Sequence, residues 1–191
     1  MKMATMDALE VEDETIAAAQ AGDAAALEAL LGNIWPHAYR IALSILRQPQ
    51  AAEDTAQEAC ARVLLAIAQL RAPEAFGVWF YRVVVREALA IERRQRGHDP
   101  LDPRTVTSAS PLTDALVRVD VLRALGELPP HQRAVVALHY YADLNSREIA
   151  AVIGQPQGTV RYHLSLARRR LEALLASHRP RPLAEVLFDA G

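Results

Sequence analysis

Side chains that can read DNA bases recur near the carboxyl end of the chain. If residues 156–175 are helical, the spacing of Gln157, Arg161 and Arg168 brings them to one face. Arginine can bond guanine through two hydrogen bonds, glutamine can do so with adenine, and amides at a helix start suit a phosphate. We therefore predict that this surface enters a DNA groove, against the alternative of a solvated, arginine-rich surface helix. The residues predicted to contact DNA are Gln157, Gly158, Thr159, Arg161, Tyr162, Ser165, Arg168 and Arg169.

Signals on both sides of a tight turn predict that this helix is the second of a helix-turn-helix. Asn145 and Glu148 have the spacing of a capping box, which starts a short helix. Gly154 can adopt the left-handed conformation that ends a helix, and Pro156 suits the first turn of the next one. An apolar stripe at helical spacing then predicts packing against neighbouring helices. Its members are Val160, Leu164, Ala167, Leu171 and Leu174.

A family resemblance covers the same segment. The run GTVRYHLSLARRRL at residues 158–171 resembles the region 4 recognition helix of sigma-70 family transcription factors, in particular the extracytoplasmic-function class. Residues 128–136 are similar to the opening of region 4 and residues 141–150 to its middle. The resemblance implies that this helix reads the −35 promoter element. Tyr162 and His163 depart from the common pattern, which has a small polar residue and a basic one there.

The composition favours a folded binding protein. A length of 191 residues suits two small domains, and 51% hydrophobic content is ample for packed cores. The formal net charge is −2, so DNA contacts must come from local basic faces. The single cysteine, Cys60, excludes a disulfide within the chain and a cysteine zinc site. Because we see no membrane-length apolar run and no signal-peptide pattern, we expect a cytoplasmic protein without membrane insertion.

Enzyme chemistry finds little support in the sequence. The six histidines are scattered, and no His/Glu pair has supported metal-ligand spacing. Neither a glycine-rich phosphate loop nor a nucleophile motif is present in the sequence. We therefore expect no catalytic residues, no metal and no cofactor.

Hydrophobic periodicity predicts an all-α fold. Residues 1–13 form an acidic lead-in, and a short helix is expected at residues 14–21. Asp23 should cap a second helix with a broad apolar face, which Pro36 should kink or split. A third helix is predicted over residues 51–70.

The first turns of the predicted third helix carry a cluster of polar and acidic residues, namely Glu53, Asp54, Gln57 and Glu58. From the residues alone, the favoured interpretation is that these acids stabilise the positive end of the helix. Residues 52–58 are also similar to the acidic motif with which region 2 of sigma factors docks on the clamp helices of RNA polymerase. On that resemblance we predict that the four residues contact core polymerase.

The run FGVWFYRV at residues 76–83 resembles the aromatic signature of region 2, where the family takes up bases flipped out of the melted −10 element. Aromatic residues at helical spacing are more often core, so we predict that Trp79, Phe80 and Tyr81 pack inside. The loop at residues 71–75 is then the expected base-binding segment.

Cations in and after this segment predict phosphate contacts near the −10 element. They are Arg71, Arg82, Arg86, Arg93 and Arg94. Family members usually have an Asn near Arg86 and an Asp near Ala90, and neither is present here. The difference bears on strand opening and element preference.

A stretch without apolar periodicity, residues 97–112, is rich in turn residues and typical of a flexible linker. We therefore predict two small helical domains: a region 2-like bundle at residues 14–96 and a region 4-like helix-turn-helix domain at residues 113–176. Residues 177–191 form a proline-broken tail.

The resemblance implies an alternative sigma factor that brings core RNA polymerase to promoter DNA, with the clamp helices and flap of the polymerase as its contacts. Such factors are commonly held by an anti-sigma partner. Two alternatives are open. One is a mimic that binds anti-sigma regulators without driving transcription, motivated by the missing Asn and Asp. The other is a two-domain helix-turn-helix regulator, which would need an N-terminal receiver or ligand domain whose alternating strand pattern we do not find.

Overall fold

A computed structural model of the chain describes residues 9, 11–70, 72–96 and 123–177. The regular structure of these residues is helical, as predicted. The helices are α1 (Asp13–Gln20), α2 (Ala24–Leu46), α3 (Pro49–Ala66), α4 (Phe76–Arg96), α5 (Pro130–Tyr140), α6 (Ser146–Ile153) and α7 (Gln157–Ser177). Single 3-10 turns at Ile67–Gln69 and Pro73–Ala75 connect α3 to α4, and residues 123–126 form another helical turn.

The N-terminal half, α1 to α4, is a bundle built around α2. The carboxylate of Asp23 accepts a hydrogen bond from the Ala26 amide at 2.8 Å, which confirms the predicted cap. Helix α2 continues through Pro36 as one element, so the proline does not split it. Its apolar face packs against α3 and α4, and Ile34, Ile41 and Ile45 expose no surface. This burial outweighs the intrahelical hydrogen bond that proline cannot donate.

The C-terminal half contains the predicted helix-turn-helix. The Asn145 side chain accepts hydrogen bonds from the amides of Arg147 and Glu148 at 2.9 and 3.2 Å. The Glu148 carboxylate in turn accepts from the Asn145 amide at 2.8 Å, so the capping box is complete. Gly154 ends α6 in the left-handed region with φ of 68°. The local signals therefore fix where α6 begins and where the chain turns into α7.

The two halves pack against each other, an arrangement that the sequence did not predict. Helix α2 contacts α5, and α4 contacts both α5 and α6. One cluster of buried apolar residues runs from α2 into Leu138 and Ile149. Across this boundary Arg40 donates a hydrogen bond to the Tyr141 hydroxyl at 3.2 Å and lies 5.4 Å from the centre of its ring. Apolar burial and specific polar contacts together join the halves.

Some predicted boundaries differ from the observed ones. The third helix ends at Ala66, before the predicted Leu70, because the chain tightens into a 3-10 turn. The predicted loop at residues 71–75 contains a 3-10 turn. The linker at residues 97–112 lies outside the described residues, as do most of the lead-in and nearly all of the tail. The domain limits therefore stay predictions.

Candidate nucleic-acid and polymerase interfaces

The outer face of α7 is open to solvent. Arg161 and Arg168, two turns apart on this face, are exposed, and Tyr162 keeps 63% of its surface accessible. The remaining predicted contacts fall into two groups. Gly158, Ser165 and Arg169 are exposed, and Gln157 and Thr159 are half-buried at the start of the helix. The structure thus brings the whole predicted DNA-reading set together on one helix.

The opposite face of α7 holds the helix against the rest of the protein. Val160 and Ala167 expose no surface. Leu164 packs on the main core, and Leu171 packs on a second cluster that includes Leu128. The predicted apolar stripe is confirmed at these positions. Because this face is anchored, the orientation of the outer face is fixed relative to α5 and α6.

The arginines of the outer face meet neutral acceptors. Arg168 donates two hydrogen bonds to the Tyr140 hydroxyl, from Nε at 3.1 Å and from Nη2 at 2.9 Å. Arg161 Nε lies 3.5 Å from the Ser146 hydroxyl. Within the described residues, no carboxylate lies within ion-pair distance of Arg161, Arg168 or Arg169. None of the described carboxylates therefore neutralises their positive charge, which is available to phosphates or to the acceptor atoms of bases.

A second basic face lies on α4. Arg82, Arg86 and Arg93 share one side of the helix by their spacing, and all three are exposed, as is Arg94 beside them. Arg82 also donates a hydrogen bond from Nε to the carbonyl of Ala151 in α6 at 3.1 Å. Arg71, the remaining member of the predicted set, lies outside the described residues.

The aromatic residues of α4 serve mainly as core. Phe80 and Tyr81 are 0% and 1% exposed, and Trp79 packs half-buried against the same cluster. The Tyr81 hydroxyl lies 3.4 Å from Nδ1 of the buried His37. Burial raises the pKa of Tyr81, with a further contribution from Tyr141. The prediction that these aromatic residues pack inside is confirmed for Phe80 and Tyr81.

The acidic cluster forms an exposed stripe along α3. Glu53, Asp54, Gln57 and Glu58 are all exposed. Glu58 pairs with Arg62 at 2.9 Å, and Arg62 also reaches Glu87 of α4 at 3.1 Å. The same side of α3 continues to Leu65, which is 81% exposed. An acidic surface that ends in an exposed leucine is suited to docking on another protein.

The structure shows three candidate residues that the sequence did not predict: Leu65, Ser146 and Tyr140. For Leu65 a signal was present, because it follows Asp54 and Glu58 at helical spacing and so belongs to the solvent side. Ser146 and Tyr140 touch α7 residues that follow them by 11 to 28 positions. No local sequence pattern predicts contacts between residues that far apart in the chain.

The described residues give no sign of a reactive thiol, a metal site or a membrane-spanning helix. Burial raises the pKa of the Cys60 thiol to about 11, which lowers the fraction of the reactive thiolate. In the ranges that the structure covers, no three His, Cys, Asp or Glu side chains are grouped so that they could hold a metal ion. None of the helices described combines the length and the apolar character that a membrane crossing requires.

Comparison with known families finds two matches in the expected order. The model of Sigma-70 region 2 matches residues 35–97, and that of Sigma-70, region 4 matches residues 118–171. The first contains α3 and all of α4, and the second contains α5, α6 and most of α7.

Curated relatives match most of the chain. It is 30% identical over 138 residues to the RNA polymerase sigma factor SigV of Bacillus subtilis, covering 72% of this chain and 83% of that protein. It is 31% identical over 166 residues to the ECF RNA polymerase sigma factor SigM of Mycobacterium tuberculosis, covering 85% of this chain and 83% of that protein.

Two solved structures share the fold. One is the structure of CnrH in complex with the cytosolic domain of CnrY, with a TM-score of 0.69, 20% identity, and coverage of 89% of this chain and 100% of that one. The other is the sigma factor RpoE in complex with the anti-sigma factor NepR from Bartonella quintana, with a TM-score of 0.69, 22% identity, and coverage of 80% and 98%.

Proposed function

The chain belongs to the sigma-70 family, in its extracytoplasmic-function class, and from this premise we propose how its helices divide the work of an alternative sigma factor. Such a factor directs promoter recognition and is not itself an enzyme. Helix α7 reads the −35 element, the basic side of α4 contacts the −10 element, and the acidic stripe of α3 binds core RNA polymerase.

One observation carries the proposal: the outer face of α7 presents arginines that no described carboxylate neutralises, while its inner face is buried. A solvated surface helix can also carry arginines without ion pairs, but here Arg161 and Arg168 share one face of the second helix of a helix-turn-helix. Insertion of this face into the major groove gives Arg161 and Arg168 anionic acceptors, which the described residues do not supply.

The assignment of α4 rests on the side shared by Arg82, Arg86 and Arg93. These guanidinium groups can hold the phosphates of a strand that has been opened. Phe80 and Tyr81 are buried, so neither ring is accessible for stacking with a flipped base. The segment that joins α3 to α4 is the better candidate for holding them.

The assignment of α3 rests on Glu53, Asp54, Gln57 and Glu58, with Leu65 at the end of the same side. The acids supply complementarity to a basic partner surface, and the exposed leucine supplies apolar area to bury. The clamp helices of core polymerase are the partner proposed for this stripe. The flap of the polymerase is proposed as the partner of the C-terminal half.

An anti-sigma partner is also proposed. Both solved structures described above are complexes, one of CnrH with the cytosolic domain of CnrY and one of RpoE with the anti-sigma factor NepR. A protein of this kind would keep the present chain from polymerase or promoter DNA until a signal releases it.

Transcription in vitro tests the function directly. Purified chain is added to core RNA polymerase on a library of promoter fragments from the same genome, and the products are sequenced. The expected result is a set of transcripts that need the added chain and share an upstream element. Absence of any such transcript, together with tight binding to an anti-sigma protein, would instead identify a sigma mimic.

A further inference from the structure

Ser146 is the first residue of α6. Its hydroxyl contacts side chains of α7. Gln157 donates a hydrogen bond from Nε2 to Ser146 Oγ at 2.9 Å. Arg161, one turn further along α7, places Nε 3.5 Å from the same oxygen, at the outer limit for a hydrogen bond. The Ser146 hydroxyl of α6 thus contacts two polar side chains in the first turns of α7, those of Gln157 and Arg161.

This hydroxyl is not needed to start α6. Asn145 caps the amides of Arg147 and Glu148, and Glu148 closes the box on the amide of Asn145. A serine in the first turn beside a completed cap contributes little to helix stability, because the orphan amides already have acceptors. The contact with Gln157 therefore calls for a reason other than capping.

The contact selects an orientation for the Gln157 carboxamide. With one Nε2 proton on Ser146, Gln157 keeps a second Nε2 proton and a carbonyl oxygen, and neither has a hydrogen-bond partner among the described residues. Adenine requires one donor and one acceptor from the amide that reads it in the major groove. A free glutamine side chain samples many rotamers and both amide orientations, and holding it in one removes that entropic cost at the moment of binding.

Arg161 is affected in the same sense but more weakly. Its Nε faces Ser146, and its two terminal nitrogens, which have no hydrogen-bond partner among the described residues, can bind a guanine or a phosphate. Gln157 and Arg161 are four residues apart on one face, so they would meet neighbouring base pairs.

We infer that Ser146 is a positioning residue for promoter specificity: its hydroxyl orients Gln157, and with it Arg161, to read adjacent base pairs of the −35 element. This inference rests on the proposed function of α7 and adds to it a residue on α6 that sets the base preference. Ser146 need not touch a base itself.

The test uses the full chain with core RNA polymerase and a promoter library randomised across the upstream element. Gln157→Ala first identifies the base pair that Gln157 reads, as the position where preference is lost. Ser146→Ala is expected to lower the base preference at that position by about threefold or more. The base preference at the neighbouring position, assigned to Arg161, should fall less, and the preferences at the other positions should not change. Ser146→Thr keeps a hydroxyl and should restore the wild-type preference.

Ser44→Ala is the matched control, since the Ser44 hydroxyl donates only to the carbonyl of Arg40 within α2 at 2.9 Å. Unchanged preference at the Gln157 position in Ser146→Ala would overturn the inference while leaving the function of α7 intact. A uniform loss at all positions together with a lower melting temperature would overturn it too, because it would show a structural role. Absence of any transcript that depends on the wild-type chain would contradict the proposed function itself, and the inference with it.

Discussion

Arg133 of α5 and Glu92 of α4 form an ion pair between the two halves of the chain, with Nη2 and Oε1 2.8 Å apart and only 5% and 11% of the two side chains exposed. Arg133 also donates from Nη1 to the carbonyl of Leu128 at 3.1 Å. Removing one member of a buried pair abolishes the attraction between two charges that have already been desolvated. Arg133→Met should therefore lower the free energy of unfolding by about 3 kcal/mol, measured by urea denaturation followed by circular dichroism.

A double-mutant cycle separates the pair from its surroundings. Arg133→Met and Glu92→Gln are made separately and together, and the double variant should recover part of the Arg133→Met loss, because both members of the pair are then neutral. Glu58→Gln breaks the exposed pair with Arg62 and serves as the control, with an expected cost below about 1 kcal/mol. Equal effects of Arg133→Met and Glu58→Gln would show that the pair between the halves is as solvated as the one on the surface.

Charge reversal on the α3 stripe should weaken binding to core polymerase. Asp54 is exposed and makes one long contact, from Gln50 at 3.4 Å, so Asp54→Arg should leave the fold intact. The expected result is a loss of polymerase affinity of about tenfold or more, since a like charge then faces a basic partner surface. Glu28→Arg makes the same charge change at an exposed position of α2 outside the stripe. Equal affinity of both variants in a polymerase binding titration would remove the stripe from the interface.

The reactivity of Cys60 should reveal its environment. Burial raises the pKa of this thiol from 9.0 to about 11, so at pH 8 the folded protein holds far less thiolate than the unfolded chain. Alkylation by iodoacetamide at pH 8 should be about tenfold slower or more in the folded protein than in guanidinium. Because this is the only cysteine, the unfolded chain is its own control. Equal rates in the two states would place the thiol in solvent.

The same shift gives a stability prediction with a definite sign. Between pH 9 and the folded pKa of about 11, the unfolded chain releases the Cys60 proton while the folded protein retains it. The free energy of unfolding should therefore fall as the pH rises through this window. Cys60→Ser removes the titrating thiol, and its stability should decline less over the same pH range. Parallel declines in the two proteins would assign the effect to other groups.

Local signals account for what the sequence predicted well. The cap at Asn145, the turn at Gly154 and the buried Val160 each depend on residues within a few positions, and all are observed. The packing of the two halves was not predicted. Its contacts join residues far apart in sequence, such as Arg40 with Tyr141 and Arg133 with Glu92. Nothing in local periodicity marks which arginine will be buried in such a contact and which will remain outside.

Substitution of two arginines of α7, one at a time, can distinguish the effect of a groove-reading face from a general effect of net charge. Arg161 lies on the outer face near the start of the helix, and Arg170 donates from Nη1 to the Gln132 side chain of α5 at 3.3 Å. Both changes to Glu alter the net charge equally and act on the same helix. Arg161→Glu places a carboxylate against base acceptors and phosphates, so binding to the −35 element should weaken by at least about 1 to 3 kcal/mol.

Arg170→Glu should cost less, because its side chain is directed toward α5 and its charge reaches DNA only at a distance, where salt screens it. Footprinting of the full chain with core polymerase on a matched promoter, at two salt concentrations, distinguishes the two variants. The loss in Arg170→Glu should shrink at the higher salt, whereas the Arg161→Glu loss should persist. If both variants lost affinity equally and recovered equally with salt, α7 would act as a diffuse positive surface, and the assignment of Arg161 to the groove would be wrong.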